Sequence, residues 1–237
     1  MLLEDITMAE FEEGLKRTRT VIIPFGSLEE HGLHLPLSTD TLQMYEIAKE
    51  AARRYPLFVA PSVNYGLCRS TRNHPGTVGL KGQTLWHLTW DLLEGFYQQG
   101  LRFFALVSGH AGQTHKAFIL DAAEAFMEAH PEIGIMVATI IDLINLGARD
   151  LLETPGDSHA GEFETSLMLL LKPDAVKGSS PAEFPTFPGL ILVRDKRRFW
   201  PGGVWGDPTK ASQDKGQALF ERLVEILLTK IKEMESV

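Results

Sequence analysis

The chain has 237 residues, 44% hydrophobic and 23% charged, enough for one α/β domain (1–237) with a full core and incompatible with a disordered or fibrous protein. A net charge of −8 excludes a phosphate-backbone partner, and the single cysteine, Cys68, excludes an internal disulfide or a multi-cysteine zinc site. Together with an acidic start, Met1-Leu2-Leu3-Glu4-Asp5, and no apolar stretch of membrane-span length, this points to the cytoplasm, with no nucleic-acid or membrane partner.

Val21-Ile22-Ile23-Pro24, ending in Gly26, reads as a buried strand that runs into an acidic loop. Thr39 or Asp40 caps the next helix, where Met44, Ile47, Ala48 and Ala51 recur at helical spacing until about Arg53. Leu57 to Pro61 forms a second strand, followed by a long loop holding Tyr65-Gly66 and His74-Pro75-Gly76-Thr77. A helix from about Gln83 to Gln99 leads to a third strand, Phe103 to Val107, with Gly109-His110-Ala111-Gly112 at its carboxyl end. A helix through Ala117–Ala129 and a strand over Ile135–Ile141 continue the alternation, the pattern of βαβ crossovers in a parallel sheet covered by helices on both faces. Asp157-Ser158-His159 stands at the capped start of a helix over Gly161–Leu171, so His159 and Glu164 lie near one helix start. Residues 173–210 are rich in Pro, Gly and aromatics and read as an irregular arm before a terminal helix from about Ser212 to Glu233.

Residues 24–40 crowd Glu29, Glu30, His31, His34 and Asp40 behind a short apolar run. Imidazole with carboxylate is the ligand mixture that zinc, manganese and iron accept. Loops after strand carboxyl ends converge in an open parallel sheet, so Glu29, His31 and Asp40 can meet His110. Glu29 and His31 are two positions apart where Gly32 and Pro36 disfavour a helix, so both side chains point the same way; a helical pairing of His31 with His34 is the weaker reading. His34 reads as a hydrogen-bond partner behind the ligands, Glu30 as a supporting or solvated carboxylate, and Cys68 as a packing residue. His87, His115 and His130 fall on or beside polar helices and receive no role. Gly109-His110-Ala111-Gly112-Gln113 lacks the Lys-Ser/Thr ending of a P-loop. Phe199-Trp200-Pro201-Gly202-Gly203 is a pocket lid or an oligomer contact, and Arg194-Asp195-Lys196-Arg197-Arg198 reads as a solvated loop.

The run Gly26-Ser27-Leu28-Glu29-Glu30-His31-Gly32-Leu33-His34-Leu35-Pro36-Leu37, with Thr39-Asp40, closely resembles the signature of the creatininase (creatinine amidohydrolase) family. Gly109-His110-Ala111-Gly112, His159-Ala160-Gly161-Glu162-Phe163-Glu164-Thr165-Ser166, His74-Pro75-Gly76-Thr77 and Gly203-Val204-Trp205-Gly206-Asp207-Pro208-Thr209 resemble its remaining blocks, in the family's order. The resemblance implies a three-layer α/β/α sandwich, a homo-oligomer that is often a hexamer, and two divalent ions per chain, zinc with zinc, manganese or iron. By the same resemblance Glu29 and His110 hold one ion, His31 the other, and Asp40 bridges them. Creatinine-hydrolysing members carry a glutamate two residues beyond the histidine matching His110, where this chain has Gly112; Glu164 is the natural substitute. His159 matches a residue credited with general acid/base work, although a helix amino terminus would push its pKa down. Ser70, His74 and Trp205 line the pocket by family position.

Two dications against three carboxylates and one hydroxide leave such a cluster near neutral, which limits the cost of burying it. The expected activity is hydrolysis of a non-peptide C–N bond in a small cyclic amide or formamide-type substrate by a metal-activated hydroxide, with His159 as general acid/base. Trimming of a small precursor peptide, or metal-stabilised binding without turnover, are the alternatives.

Overall fold

The computed structural model describes residues 1–237, and its central feature is a parallel sheet of four strands: β1 (Thr20–Phe25), β2 (Phe58–Val59), β3 (Phe103–Ser108) and β4 (Gly134–Thr139), ordered β2-β1-β3-β4. Seven helices cover it: α1 (Met8–Leu15), α2 (Thr39–Arg54), α3 (Gly82–Gln98), α4 (Gln113–Ala129), α5 (Ile140–Gly147), α6 (Glu162–Leu171) and α7 (Gln213–Met234). Side chains alternate across each strand, so Ile22, Ala105 and Val107 pack with Met44, Ile47, Leu143, Phe163 and Leu223 on one face. Val21, Ile23, Phe104 and Leu106 pack with Leu85, Leu93, Ile119 and Phe126 on the other. Burial on both faces is why β1 reads as an unbroken apolar run. The result is a three-layer α/β/α sandwich.

The strand order reverses between β1 and β3, whose following loops open a crevice at the switch point of the sheet. Gly109 lets those loops close up: a Cβ there would collide with the backbone carbonyl oxygen of Asp40 at the start of α2.

Several boundaries differ from expectation for local reasons. β2 is short because, after Ala60 N–H bonds Ile22 O at 2.9 Å, Pro24 of β1 has no N–H to donate back; the chain rejoins β1 only at Val63, whose N–H donates to Pro24 O at 2.9 Å. The fourth strand stops at Thr139 instead of Ile141, because Thr139 and Asp142 form a capping box that starts α5. A second capping box, Thr7 with Glu10, starts α1, a helix absent from the expected elements. The fourth helix begins at Gln113, four residues before the apolar pattern at Ala117. Between α6 and α7 the arm is irregular apart from three short 3-10 turns. No helix is long and apolar enough to cross a membrane.

Candidate metal centre

The loop after β1 supplies Glu29 and His31, the first turn of α2 supplies Asp40, the loop after β3 supplies His110, and α6 supplies Glu164. All five are buried. The structure brings them together. His110 Nδ1 lies 2.6 Å from Glu29 Oε2 and 3.2 Å from Asp40 Oδ2. On the other side His31 Nε2 lies 3.1 Å from Asp40 Oδ1 and 3.6 Å from Glu164 Oε2. Asp40 therefore turns one oxygen to each histidine, the disposition of a bridging carboxylate.

Neighbouring donors fix these side chains. Ser27 Oγ donates to Asp40 Oδ2 at 2.5 Å, Thr71 Oγ1 donates to Glu29 Oε1, and Gln43 Nε2 donates to Glu164 Oε1 at 3.3 Å. His31 Nδ1 donates to Glu29 O at 3.0 Å, which leaves Nε2 facing the carboxylates. Burial opposes the charge on Glu29, His31, Asp40 and His110, yet the pairs prevail. Against burial, His110 pulls Glu29 down to about 2, and His31 and His110 hold Asp40 well below the usual carboxylate range. Against burial, Asp40 and Glu164 hold His31, and Glu29 and Asp40 hold His110, well above the usual imidazole range.

The donor chemistry fits divalent metal. Two groups of three ligand atoms, Glu29 with Cys68 and His110, and His31 with His159 and Glu164, each lie within 4.8 Å of one another. Cys68, read from sequence as a packing residue, is buried among these donors; burial first, then Glu29 and Asp40, push its thiol pKa up, so at neutral pH it is a weak donor.

His159 Nε2 donates to Glu30 O at 2.8 Å and lies 3.6 Å from Glu30 Oε1, with its ring 4.2 Å from that of His31. The helix-terminus argument for a lowered pKa does not hold. Burial and His31 do pull it down, but the hydrogen bond to Glu30 and the charges of Glu164 and Glu29 raise it above the ordinary value. Glu30 is buried here, not solvated. Asp157, as expected, caps the helix that carries Glu164, accepting from the N–H groups of Glu162 and Phe163 at 2.8 Å each.

The cleft above these groups holds about 970 Å³. Ser70 and Trp205 stand in its wall, and Trp205 is fixed beside His159 by paired backbone hydrogen bonds of 3.1 and 2.7 Å. Trp200 belongs to the same wall, its ring 5.2 Å from His159 and 5.8 Å from Trp205, so one residue of the Phe199–Gly203 stretch lines the cleft. His74 does not line the cleft. It is buried behind Trp200, with Nε2 2.6 Å from Trp200 O and Nδ1 3.3 Å from Thr71 O.

His34 bonds Ser180 Oγ and Thr165 Oγ1 at 2.9 Å each, the supporting position its sequence implied. His115 departs from expectation. It is buried on the inner side of α4, its ring 4.8 Å from His110 and its Nδ1 accepting from Leu67 N–H at 3.1 Å. Its place at the third position of α4, one turn before the buried Ile119, carried the only signal, and starting the helix at Ala117 hid it.

A family model described as creatinine amidohydrolase (Creatininase) matches residues 4–231. The chain belongs to the creatininase family, a family of hydrolases. It is 28% identical to the creatinine amidohydrolase of Pseudomonas putida, covering 97% of this chain and 95% of that protein. It is also 28% identical to a mycofactocin precursor peptide peptidase of Mycobacterium ulcerans (90% and 84% covered) and to a 3-dehydro-scyllo-inosose hydrolase of Thermotoga maritima (94% and 80%). Among solved structures, a creatinine amidohydrolase superposes with a TM-score of 0.88 at 26% identity, covering 98% of this chain and 97% of that one. Creatininases described as Zn-Zn type and as Mn superpose with TM-scores of 0.87 at 27% identity, with the same coverage.

Proposed function

We propose that this protein is a dinuclear metal-dependent hydrolase of a non-peptide C–N bond in a small cyclic amide or formamide-type substrate. The observation that carries the reading is Asp40, buried with one oxygen toward His31 and the other toward His110. Glu29 and His110 would hold one divalent ion, His31 and Glu164 the other, with Asp40 between them. When bound, such ions lower the pKa of water toward neutrality and polarise a carbonyl group.

The chain's own residues then orient the substrate and manage its protons. His159 donates Nε2–H to Glu30 O, which leaves Nδ1 to accept a proton and return it to the departing nitrogen. Trp200 and Trp205 wall the cleft and limit water around His159. Ser70 offers a hydroxyl at the wall. Gly112 stands where creatinine-hydrolysing members are expected to carry a glutamate, so creatinine itself is not favoured.

Peptide trimming is the second reading, favoured by a 28% identity to the precursor peptide peptidase, the same identity as to creatinine amidohydrolase over somewhat less of each chain. Assay of zinc- or manganese-loaded protein against cyclic amides, formamides and short peptides separates the two. Release of the amine from a cyclic amide or formamide without peptide cleavage supports the first reading; cleavage of peptides alone replaces it by the second, and no turnover with full metal loading leaves a binding protein. A homo-oligomer in the cytoplasm belongs to the same proposal, and the solution mass reads its size.

A further inference from the structure

The mouth of the cleft has the opposite charge to the molecule as a whole. The chain carries −8 overall, and the cleft floor holds Glu29, Asp40 and Glu164. Yet Arg69 and Lys196 stand in the wall beside Ser70, with Arg72, Arg194, Arg197 and Arg198 exposed next to them in sequence. Arg72 Nη2 donates to Arg194 O at 3.0 Å and ties the two basic stretches together, although they are more than a hundred residues apart. The Arg194–Arg198 segment is solvated at Arg194, Asp195, Arg197 and Arg198, as its sequence implied, while Lys196 faces the cleft.

None of these six cations has a carboxylate within 4.0 Å. The wall's other cation, Lys116, is matched by Asp142 at 2.9 Å. The Lys196 ammonium sits 6.0 Å from the centre of the Phe187 ring, which turns it toward the aromatic side of the cleft. Burial, then Arg72 and Arg69, pull its pKa down, the mark of like charge without a counter-charge. Gathering like charges costs free energy, and an incoming anion removes that cost while being steered to the mouth.

Resting on the hydrolase reading above, we infer that the substrate carries an oxyanion, a carboxylate or a phosphate, away from the bond to be cleaved, and that Arg69 and Lys196, backed by Arg72, bind it at the cleft mouth. With metal bound the floor is close to neutral, so the basic rim is the positive end of the cleft, and it holds such a tail at the mouth while the other end of the substrate enters. A guanidinium suits this task because its fork matches the planar or tetrahedral oxyanion with two hydrogen bonds.

Two matched pairs of amides test the inference on the zinc-loaded full chain: N-acetyl-β-alanine against its methylamide, and N-acetylethanolamine against its O-phosphate. Binding is read from the fluorescence of Trp200 and Trp205 and by calorimetry, independently of turnover. One anionic member is expected to bind about tenfold or more tightly than its neutral partner at low salt, with the difference shrinking as salt rises. Which pair shows it tells carboxylate from phosphate. Arg69→Gln with Lys196→Gln is expected to bring the anionic member to the affinity of its neutral partner, with metal content unchanged. Equal affinities within both pairs, including no binding by either, overturn the inference. So does a preference that survives the double substitution, because the anion is then held by the metal. A protein that shows the preference but turns over none of the cyclic amides, formamides and peptides of the assay above upholds the anion site and rejects the hydrolase reading.

Discussion

Asp40→Asn is the substitution that bears most directly on the centre. The change keeps the shape of the side chain and removes one charge at the point where Oδ1 faces His31 at 3.1 Å and Oδ2 faces His110 at 3.2 Å. Each imidazole keeps another carboxylate, His110 with Glu29 at 2.6 Å and His31 with Glu164 at 3.6 Å, so the fold is expected to survive. Removing one partner of a buried charge pair costs about 3–5 kcal/mol, which is roughly two to four orders of magnitude in an equilibrium constant. A carboxylate shared by two ions is expected to impose that loss on both. Elemental analysis after dialysis should therefore find two ions per chain in the native protein and close to none in Asp40→Asn, whereas Glu29→Gln and Glu164→Gln should each retain one. Titration with zinc, followed by calorimetry, gives the affinities, and circular dichroism confirms folding. An Asp40→Asn protein that keeps two ions at native affinity would refute the bridging geometry.

Three further outcomes follow from the same site. Without metal, stability drawn from His31 and His110, whose values are raised, is fully present below about pH 6.5 and lost as pH rises through their folded values. Stability drawn from Glu29 and Asp40, whose values are lowered, is present above about pH 4 and lost as pH falls toward 2, so the metal-free protein should be most stable between those limits. Zinc must displace the imidazolium protons, and the gain in Tm on adding zinc should grow between about pH 5.5 and 8; a flat or falling gain contradicts the assignment of these histidines as ligands. His159→Gln should lower kcat about 10²–10⁴-fold while two ions remain bound, since removing a general acid or base has effects of that size; loss of metal would mark His159 as a ligand instead.

The sheet and most of the site were legible because both are written in short-range pattern. Val21 to Ile23 and Phe103 to Val107 are apolar at every position since each strand is covered on two faces, and the crevice after β1 and β3 follows from strand order. Glu29, His31 and Asp40 lie within twelve residues of one another, so their clustering was visible without tertiary information. What escaped depended on contacts across the chain. Cys68 and His115 stand beside His110 only because the loop after β2 folds over the start of α4, where Leu67 N–H meets His115 Nδ1 at 3.1 Å. His74 was placed in the pocket by position in its motif, but Trp200 O claims its Nε2 at 2.6 Å. The basic stretch 194–198 gave no periodic signal, and its tie to Arg72 is formed by one backbone carbonyl.

Glu164, proposed above as a ligand in place of one at position 112, is held by its local structure. A Cβ on Gly112 would sit 2.6 Å from His110 Nε2, so the loop after β3 takes a path that leaves no room for an inward side chain there. The carboxylate comes instead from the first turn of α6, and three local features fix it. Asp157 clamps the helix start through two backbone N–H groups, although burial, opposed by those N–H groups, pushes its pKa up to about 6. Ala160 takes a left-handed conformation, φ 49°, which aims its N–H at Glu164 Oε2 at 2.5 Å. Gln43 holds the other oxygen at 3.3 Å. The segment Ala111–Gln113 lines the cleft. The cleft that these residues line continues from the ligands to Arg69 and Lys196, which favours a substrate that extends that way.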